Sequence, residues 1–358
     1  MTYRVPRFLD AHAKQHEDLT RRVLTYALTF RAKRLIVFLT PGYECRAGGV
    51  MSIATMYRES MAQRHLHRSR IALCTVPGDP PYLKYTWFKN RDYLLDLESV
   101  LKGCRDLDYF QLHIPDYAVN RVLDWLTSTS LTLLRDVREI QLNVLLFNID
   151  NIQGQNASGL KRFGGVTATT AHEAYTNAAT RDALGISVHR LGACVGPECY
   201  SLSGYQDKEP LLIVSHDEHP MKEQVLAHIA EVYPALRIQV VQNLHYDDYE
   251  KLIRRAKWSL TFGEGLDAYF VDQVLSGGIS FAVFNDRYFT PAFGELETVY
   301  PSWEILMDRI TKDLQRLDEL VAYNQCWQQA FDLLSNLHSI DGYRKNLRMF
   351  YRGEYTFP

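Results

Sequence analysis

The sequence lacks several patterns that would set it apart from ordinary globular proteins. No stretch approaches the roughly 18 consecutive apolar residues of a membrane-spanning helix. Residues 1–15 contain no apolar segment of the kind found in a secretory signal peptide. The formal net charge of −2 gives no indication of nucleic-acid binding. The six cysteines form no Cys-x-x-Cys pair and no metal-ligand spacing, which favours a reducing compartment, so we expect a cytoplasmic protein.

Composition and apolar periodicity describe a protein with a sizeable core. Apolar residues make up 46% of the 358-residue chain and charged residues 23%, which is typical of two domains. Apolar runs predict strands at residues 34–40, 71–76, 109–114, 141–149, 166–170, 211–215, 237–242, 258–262 and 279–284. Amphipathic stretches predict helices near residues 11–33, 49–64, 92–102, 117–127, 172–183, 220–232, 246–256, 268–276 and 303–350. This alternation predicts an α/β protein with two Rossmann-like domains of parallel strands, facing across a cleft.

The alternation is interrupted between residues 192 and 210. This segment holds three glycines, two prolines and two serines, a composition typical of a linker. We therefore predict an N-terminal domain at 1–195, a linker at 196–209 and a C-terminal domain at 210–335. A final helical segment at 336–358 is predicted to cross back to the N-terminal domain.

The predicted helix at residues 11–33 has a basic surface. The cationic residues in and directly after it are Lys14, Arg21, Arg22, Arg31, Lys33 and Arg34. Two interpretations stay open: a solvated face of a helix that packs on the protein, or a peripheral contact with an acidic membrane surface.

Ligands of open parallel sheets bind where strands end and the next helices begin. After the first strand, Gly48 and Gly49 precede a helix, and backbone N–H groups at such a point can approach an anion closely. The loop matches neither the G-x-G-x-x-G nor the P-loop pattern. His113 ends the third strand, where an imidazole can act as a base or as a hydrogen-bond donor. Thr170 is predicted to cap the helix that follows the fifth strand.

A dense polar run, SHDEHPMK, follows the strand at residues 211–215. It contains His216, Asp217, Glu218 and His219, which are the residue types of a metal site. Contiguous residues rarely converge on one ion, and the H-E-x-x-H spacing is absent, so we predict no metal. Lys222, near the start of the next helix, is placed to meet a diphosphate as a point charge.

The loop after the strand at 258–262 carries the most information. Glu264 leaves the strand, Gly265 opens a turn, a helix begins near residues 267–269, and Asp272 lies eight residues after Glu264. The N–H groups of the turn and of the helix N-terminus form a predicted anion site between the two acids. Such a layout suits a sugar on one acid, ribose hydroxyls on the other and a diphosphate between them. It also occurs where acids only interact with a helix dipole.

Residues 264–272, EGLDAYFVD, resemble the E-x7-E motif of the retaining GT-B glycosyltransferases. Further similarity lies in RLIVFLTPGYECRAGGVMSIATM, VTATTAHEAYTNAATRDALGI, LLIVSHDEHPMK and HYDDYEKLIRRAKWSLTFGEG, so that it covers most of residues 34–285. Asp272 stands where the family has a second glutamate, and the arginine that precedes the lysine in the family is absent before Lys222.

The resemblance implies a nucleotide-sugar-dependent transferase that needs neither a metal ion nor another cofactor, because protein cations and helix dipoles stabilise the departing diphosphate. Glu264 would contact the donor sugar, Asp272 the ribose, and Lys222 the leaving diphosphate. His113 would lie near the reacting centre. The other predicted donor-binding residues are Gly265, Leu266, Asp267, Ala268, Tyr269, Gly48, Gly49 and His216.

The resemblance also implies a reaction and its partners. The sugar would pass, with retention, to a hydroxyl of a carbohydrate or lipid-linked acceptor, and from this class we expect a role in bacterial surface polysaccharide synthesis. The aromatic and basic loop at 78–93 is the candidate acceptor contact. Two alternatives stay open: a nucleotide-sugar 2-epimerase on the same fold, and a non-catalytic, degenerate transferase that only binds.

Overall fold

A computed structural model describes residues 7–80, 82–128 and 130–358, with side chains from residue 17 onward except at 129–131. Residues 1–6 of the predicted N-terminal domain lie outside the described residues. The side chain of Lys14, part of the predicted basic surface, also lies outside them. No helix in the described part of the chain is long and apolar enough to cross a membrane.

The chain divides into two compact units. Unit 1 comprises Met1–Thr169, Arg181–His189 and Phe350–Pro358, and unit 2 comprises Thr170–Thr180 and Arg190–Met349. Each unit contains a sheet with parallel strand pairs, which confirms the predicted class of two Rossmann-like α/β domains. The predicted cleft between the domains stays a prediction. The last nine residues belong to unit 1, where Phe357 pairs with Val188 in an antiparallel bridge.

Unit 1 is built on a six-stranded sheet in its described part, with the strand order β2-β1-β3-β4-β5-β6. The strands are β1 (Arg34–Thr40), β2 (Arg70–Thr75), β3 (Tyr109–Pro115), β4 (Glu139–Leu146), β5 (Gly165–Thr170) and β6 (Ser187–Arg190). The helices up to β6 are α1 (Arg7–Thr29), α2 (Gly48–Ala62), α3 (Arg64–His67), α4 (Leu97–Gly103), α5 (Val119–Ser128), α6 (Ser130–Leu133) and α7 (Ala178–Leu184). Residues 35–39 of β1 are all fully buried, as expected for a central parallel strand covered on both faces.

Unit 2 is built on a five-stranded sheet in its described part, with the order β11-β10-β9-β7-β8. The strands are β7 (Glu209–Val214), β8 (Arg237–Val240), β9 (Ala256–Leu260), β10 (Ile279–Val283) and β11 (Val299–Tyr300). The helices are α8 (Lys222–Val232), α9 (Tyr246–Arg255), α10 (Ala268–Leu275), α11 (Trp303–Arg316), α12 (Leu320–Leu337) and α13 (Ile340–Tyr351). One face of the sheet buries Trp258 and Phe281 in a core that also contains Leu306 and Ile310 of α11.

Two helices, α4 and α7, begin about five or six residues later than predicted, and side-chain caps explain both differences. The helix expected from residue 92 begins at Leu97, because Asp96 accepts a hydrogen bond from the Ser99 N–H at 2.8 Å. The helix expected from residue 172 begins at Ala178. Asn177, and not Thr170, caps that helix: its Oδ1 accepts from the Thr180 N–H at 2.9 Å. The short strands β6 and β11 were not predicted.

Candidate functional site

The two most informative loops of unit 2 leave neighbouring strands at the same edge of the sheet. β7 and β9 pair in parallel with Val214 opposite Leu260, so the segments that begin at Ser215 and Thr261 lie side by side. Two hydrogen bonds join them: Ser215 N–H donates to Leu260 O at 3.1 Å, and Phe262 N–H donates to Ser215 Oγ at 2.9 Å. The sheet therefore brings together Glu264, Lys222 and their loop neighbours, which are far apart in the sequence.

The turn after Glu264 requires a glycine at position 265. Gly265 has φ +90°, in the region that other L-residues rarely adopt. A Cβ atom at this position would lie 2.5 Å from Phe289 Cε2 and 3.2 Å from Val283 O. The backbone of the turn thus packs directly against Phe289 and Val283 of the same unit. This contact holds the half-buried Glu264 and the buried Leu266 on either side of the glycine.

Asp267 fixes the end of the turn by capping α10. Its Oδ1 accepts from the Phe270 N–H at 3.1 Å, and the Thr261 hydroxyl donates to its Oδ2. Removal from water raises the pKa of this carboxyl to about 7, although both hydrogen bonds act in the opposite direction. The carboxylate is therefore engaged in holding the turn on the helix, and a direct contact of Asp267 with a donor stays a prediction.

Asp272, the second acid of the predicted pair, lies inside unit 2. It is 5% exposed, and the Tyr200 hydroxyl donates to its Oδ1 at 2.5 Å. Burial raises the pKa of Asp272 to about 7, and hydrogen bonds from Tyr200 and Tyr249 offset part of this effect. A contact with ribose stays a prediction, and the partners that the structure gives Asp272 are tyrosines of the same unit.

Lys222 holds the loop after β7. Its Nζ donates to the carbonyl oxygens of Ser215 and Asp217, both at 2.8 Å, and lies 5.8 Å from the centre of the Phe262 ring. An ammonium group has three N–H donors, so among the described residues one donor is left for another acceptor. The side chain thus places a positive charge at the first residue of α8 while it shapes the loop.

Polar side chains crowd the edge beside this lysine. The exposed His216 has its Nδ1 3.2 Å from the Tyr269 hydroxyl. The Asp217 carboxylate lies against the backbone of Gly263, because a Cβ there would be 2.8 Å from Asp217 Oδ2. Asp217 was given no role in the sequence analysis. Gly263, the residue before Glu264, could have indicated this contact, because a glycine allows a side chain to approach its backbone closely. Within the described residues, no three His, Cys, Asp or Glu side chains are grouped so that they could hold a metal ion.

Leu266 also lines a small pocket of unit 2. His172, Arg190, Tyr288 and His338 contribute to it. The His172 and Tyr288 rings pack edge to face at 5.4 Å. Burial lowers the pKa of His172 and of His338 to about 4, so both imidazoles are neutral at physiological pH. The buried Nε2 of His338 has no hydrogen-bond partner in the described part of the chain. Sequence reasoning did not identify Tyr288 or His338, which follow the motif by 16 residues or more.

The predicted site residues of unit 1 lie in two different environments. His113 is fully buried, its ring stacks on Phe38 at 4.1 Å, and its Nδ1 is 3.0 Å from Asn143 Nδ2. Burial lowers the pKa of His113 to about 3, which weighs against a role as a base. Gly48 and Gly49 are the first residues of α2, and Gly48 is exposed with no heavy atom within 4 Å of an added Cβ. Catalytic and donor-binding roles for these residues stay predictions.

Comparison with known proteins identifies the fold but no sequence family. No protein-family model matches the chain, and no curated protein matches it. Anabaena HepE in complex with UDP-glucose aligns over 89% of this chain and 99% of its own, with a TM-score of 0.57 and 11% identity. The DNA-modifying enzyme β-glucosyltransferase covers 90% of this chain and 99% of its own, with a TM-score of 0.53 and 8% identity.

A third solved structure agrees with these two. The E. coli trehalose-6-phosphate structure bound with UDP-2-fluoroglucose covers 88% of this chain and 99% of its own, with a TM-score of 0.52 and 11% identity. The shared architecture is the GT-B fold of glycosyltransferases. At such low identity the likeness establishes the fold alone.

Proposed function

We propose that the chain is a glycosyltransferase that binds a nucleotide-diphosphate sugar at the carboxyl edge of the sheet in unit 2 and transfers the sugar to a hydroxyl. The observation that carries the proposal is the turn at residues 264–268. Gly265 and the Asp267 cap fix this turn at the sheet edge where Lys222 holds the neighbouring loop, and Leu266 of the turn lines a small pocket. Structures of the same fold solved with UDP-glucose and UDP-2-fluoroglucose support this choice of ligand.

Each part of the proposed site has a chemical task. The N–H groups of residues 265–268 and the positive end of the α10 dipole receive the diphosphate. Lys222 offers its remaining N–H and its charge to the departing nucleotide diphosphate, which removes the need for a metal ion. Glu264 accepts hydrogen bonds from hydroxyls of the sugar. Asp272, held by its bond to Tyr200, positions α10, and its predicted contact is with the ribose of the donor.

The acceptor is proposed to be a carbohydrate or lipid-linked molecule that contacts the loop at 78–93 of unit 1, in bacterial surface polysaccharide synthesis and with retention. This loop is built around Glu44, whose carboxylate accepts hydrogen bonds from the Tyr82 hydroxyl and from the backbone N–H groups of Thr86 and Trp87.

Peripheral membrane contact through α1 is also proposed, because Leu24, Tyr26 and Leu28 are exposed beside its arginines.

Transfer from a panel of nucleotide sugars to candidate acceptors tests the proposed function. Glu264→Gln is expected to abolish transfer without lowering the melting temperature, because the glutamine keeps the size of the side chain and loses the charge. The control is Glu231→Gln, an exposed residue of α8. Equal activity of the Glu264→Gln variant and the wild type would refute the site. Nucleotide release or sugar isomerisation without an acceptor would indicate the epimerase instead.

A further inference from the structure

A separate cavity of about 420 Å³ lies in unit 1 at the side of the sheet. Residues of α1, α2, the edge strand β2 and the loop before α4 line it. The strand contributes residues 71–73, from its middle and not from its carboxyl end. This volume is in the range of small-molecule sites, about 300–1,000 Å³. The location is different from the carboxyl edge where open parallel sheets bind their substrates.

The inner wall of the cavity is apolar. Val23 of α1, Phe30 just after α1, and Leu73 of β2 line it, and Phe30 and Leu73 are each 2% exposed. The Arg70 guanidinium lies 3.9 Å from the centre of the Phe30 ring, a cation–π contact that helps to hold the ring in place. A wall of this kind gains free energy by covering an apolar group, in proportion to the area removed from water.

The cavity also carries excess positive charge. Arg22 and Arg91 line it, and neither has an ion-pair or hydrogen-bond partner among the residues that the structure describes. The acid of the cavity, Asp92, is already paired with Arg58 at 2.8 Å. The hydroxyl of the half-buried Tyr57 adds a hydrogen-bond donor that no described group uses. Two unpaired guanidinium groups beside an apolar wall match an anion that carries an apolar body.

We propose that this cavity binds an amphiphilic anion, an apolar chain or ring that ends in a phosphate or carboxylate group. The apolar body lies against Val23 and Leu73, and Arg22 and Arg91 hold the anionic group. A concave volume of about 420 Å³ suits one small amphiphile better than it suits a flat protein surface. This site does not depend on the transfer reaction proposed for unit 2.

Titration calorimetry of the full-length protein with octyl phosphate tests the proposal, with octanol and inorganic phosphate as the matched partial ligands. Octyl phosphate is expected to bind one molecule per chain, octanol at least about tenfold more weakly, and phosphate alone not measurably. Arg22→Gln and Arg91→Gln are each expected to weaken octyl phosphate about tenfold, the loss of one charge-assisted hydrogen bond. Arg21→Gln is the control, because Arg21 lies on the same helix, is paired with Glu17 and does not line the cavity.

A second variant tests the apolar part. Val23→Trp places an indole in the cavity and is expected to abolish binding, and a melting temperature like that of the wild type shows that the fold is kept. Equal affinity for octanol and octyl phosphate, or unchanged affinity in both arginine variants, would overturn the proposal. Failure of octyl phosphate to bind the wild type would also overturn it, whether or not sugar transfer is found.

Sedimentation with vesicles of phosphatidic acid and phosphatidylcholine distinguishes a membrane lipid from a soluble amphiphile as the ligand. If the amphiphile is a membrane lipid, the wild type sediments with acidic vesicles, and Arg91→Gln and Val23→Trp reduce this binding. If the amphiphile is soluble, octyl phosphate binds and the vesicles do not retain the protein. Vesicle binding that Val23→Trp leaves unchanged, together with no binding of octyl phosphate, contradicts a role for the cavity.

Discussion

Replacing Gly265 by alanine tests the turn that the proposed donor site depends on. At φ +90° a residue with a Cβ costs about 1–2 kcal/mol more than glycine. The added methyl group would also lie 2.5 Å from Phe289 Cε2. Phe289 is 1% exposed and packs against Phe270 and Phe293, so its ring has little room to move, and such overpacking costs about 1–3 kcal/mol. We therefore expect Gly265→Ala to lower the free energy of unfolding by about 2–5 kcal/mol.

Two further glycine variants separate these contributions. Gly192 has φ +81° but no heavy atom within 4 Å of an added Cβ, so Gly192→Ala is expected to cost only the conformational part, about 1–2 kcal/mol. Gly48 has neither a positive φ nor a close neighbour, so Gly48→Ala is expected to be neutral or stabilising by up to about 1 kcal/mol. Urea denaturation followed by circular dichroism measures all three. If Gly265→Ala is no more destabilising than Gly192→Ala, the turn does not pack as described.

The remaining predictions concern Asp272 and Lys222. The pKa of Asp272 in the folded protein, about 7, lies above the ordinary 3.8, so ionisation of this carboxyl destabilises the fold as the pH rises between these values. The free energy of unfolding of Asp272→Asn is thus expected to rise relative to that of the wild type from about pH 4 to about pH 8. Urea denaturation at each pH measures this, and a difference between the two proteins that does not change with pH would contradict it. Lys222→Met leaves two carbonyl groups without their donor and is expected to cost about 1–3 kcal/mol and to weaken nucleotide binding. Lys251→Met, on the exposed face of α9, is the control, and equal effects of the two substitutions would remove Lys222 from the site.

Strands could be predicted from the sequence more closely than helix starts. β1 spans the predicted residues 34–40, because a continuous apolar run flanked by polar residues has few alternatives to a buried parallel strand. The predicted starts of α4 and α7 were wrong because the sequences of residues 92–96 and 172–177 are also compatible with a helix. Only the hydrogen bonds of Asp96 and Asn177 determine where these helices begin.

The location of the candidate site could be predicted, but the partners of its side chains could not. Parallel pairing of β7 and β9 places their loops together, and this follows from the order of strands and helices. That Asp272 binds Tyr200, 72 residues away in the sequence, follows only from packing. The same holds for the pocket that Leu266 lines, whose His338 lies directly after α12 and matches no motif.

Binding of nucleotide sugars to the wild type and to Glu264→Gln tests the central claim most directly. Thermal shift with UDP, GDP, dTDP and CMP sugars, followed by calorimetry of the best ligand, measures it. We expect at least one nucleotide sugar to raise the melting temperature of the wild type, and Glu264→Gln to bind that ligand about tenfold more weakly with an unchanged melting temperature of the free protein. The absence of stabilisation by every nucleotide sugar, or equal affinity of the variant and the wild type, would contradict a donor site at Glu264.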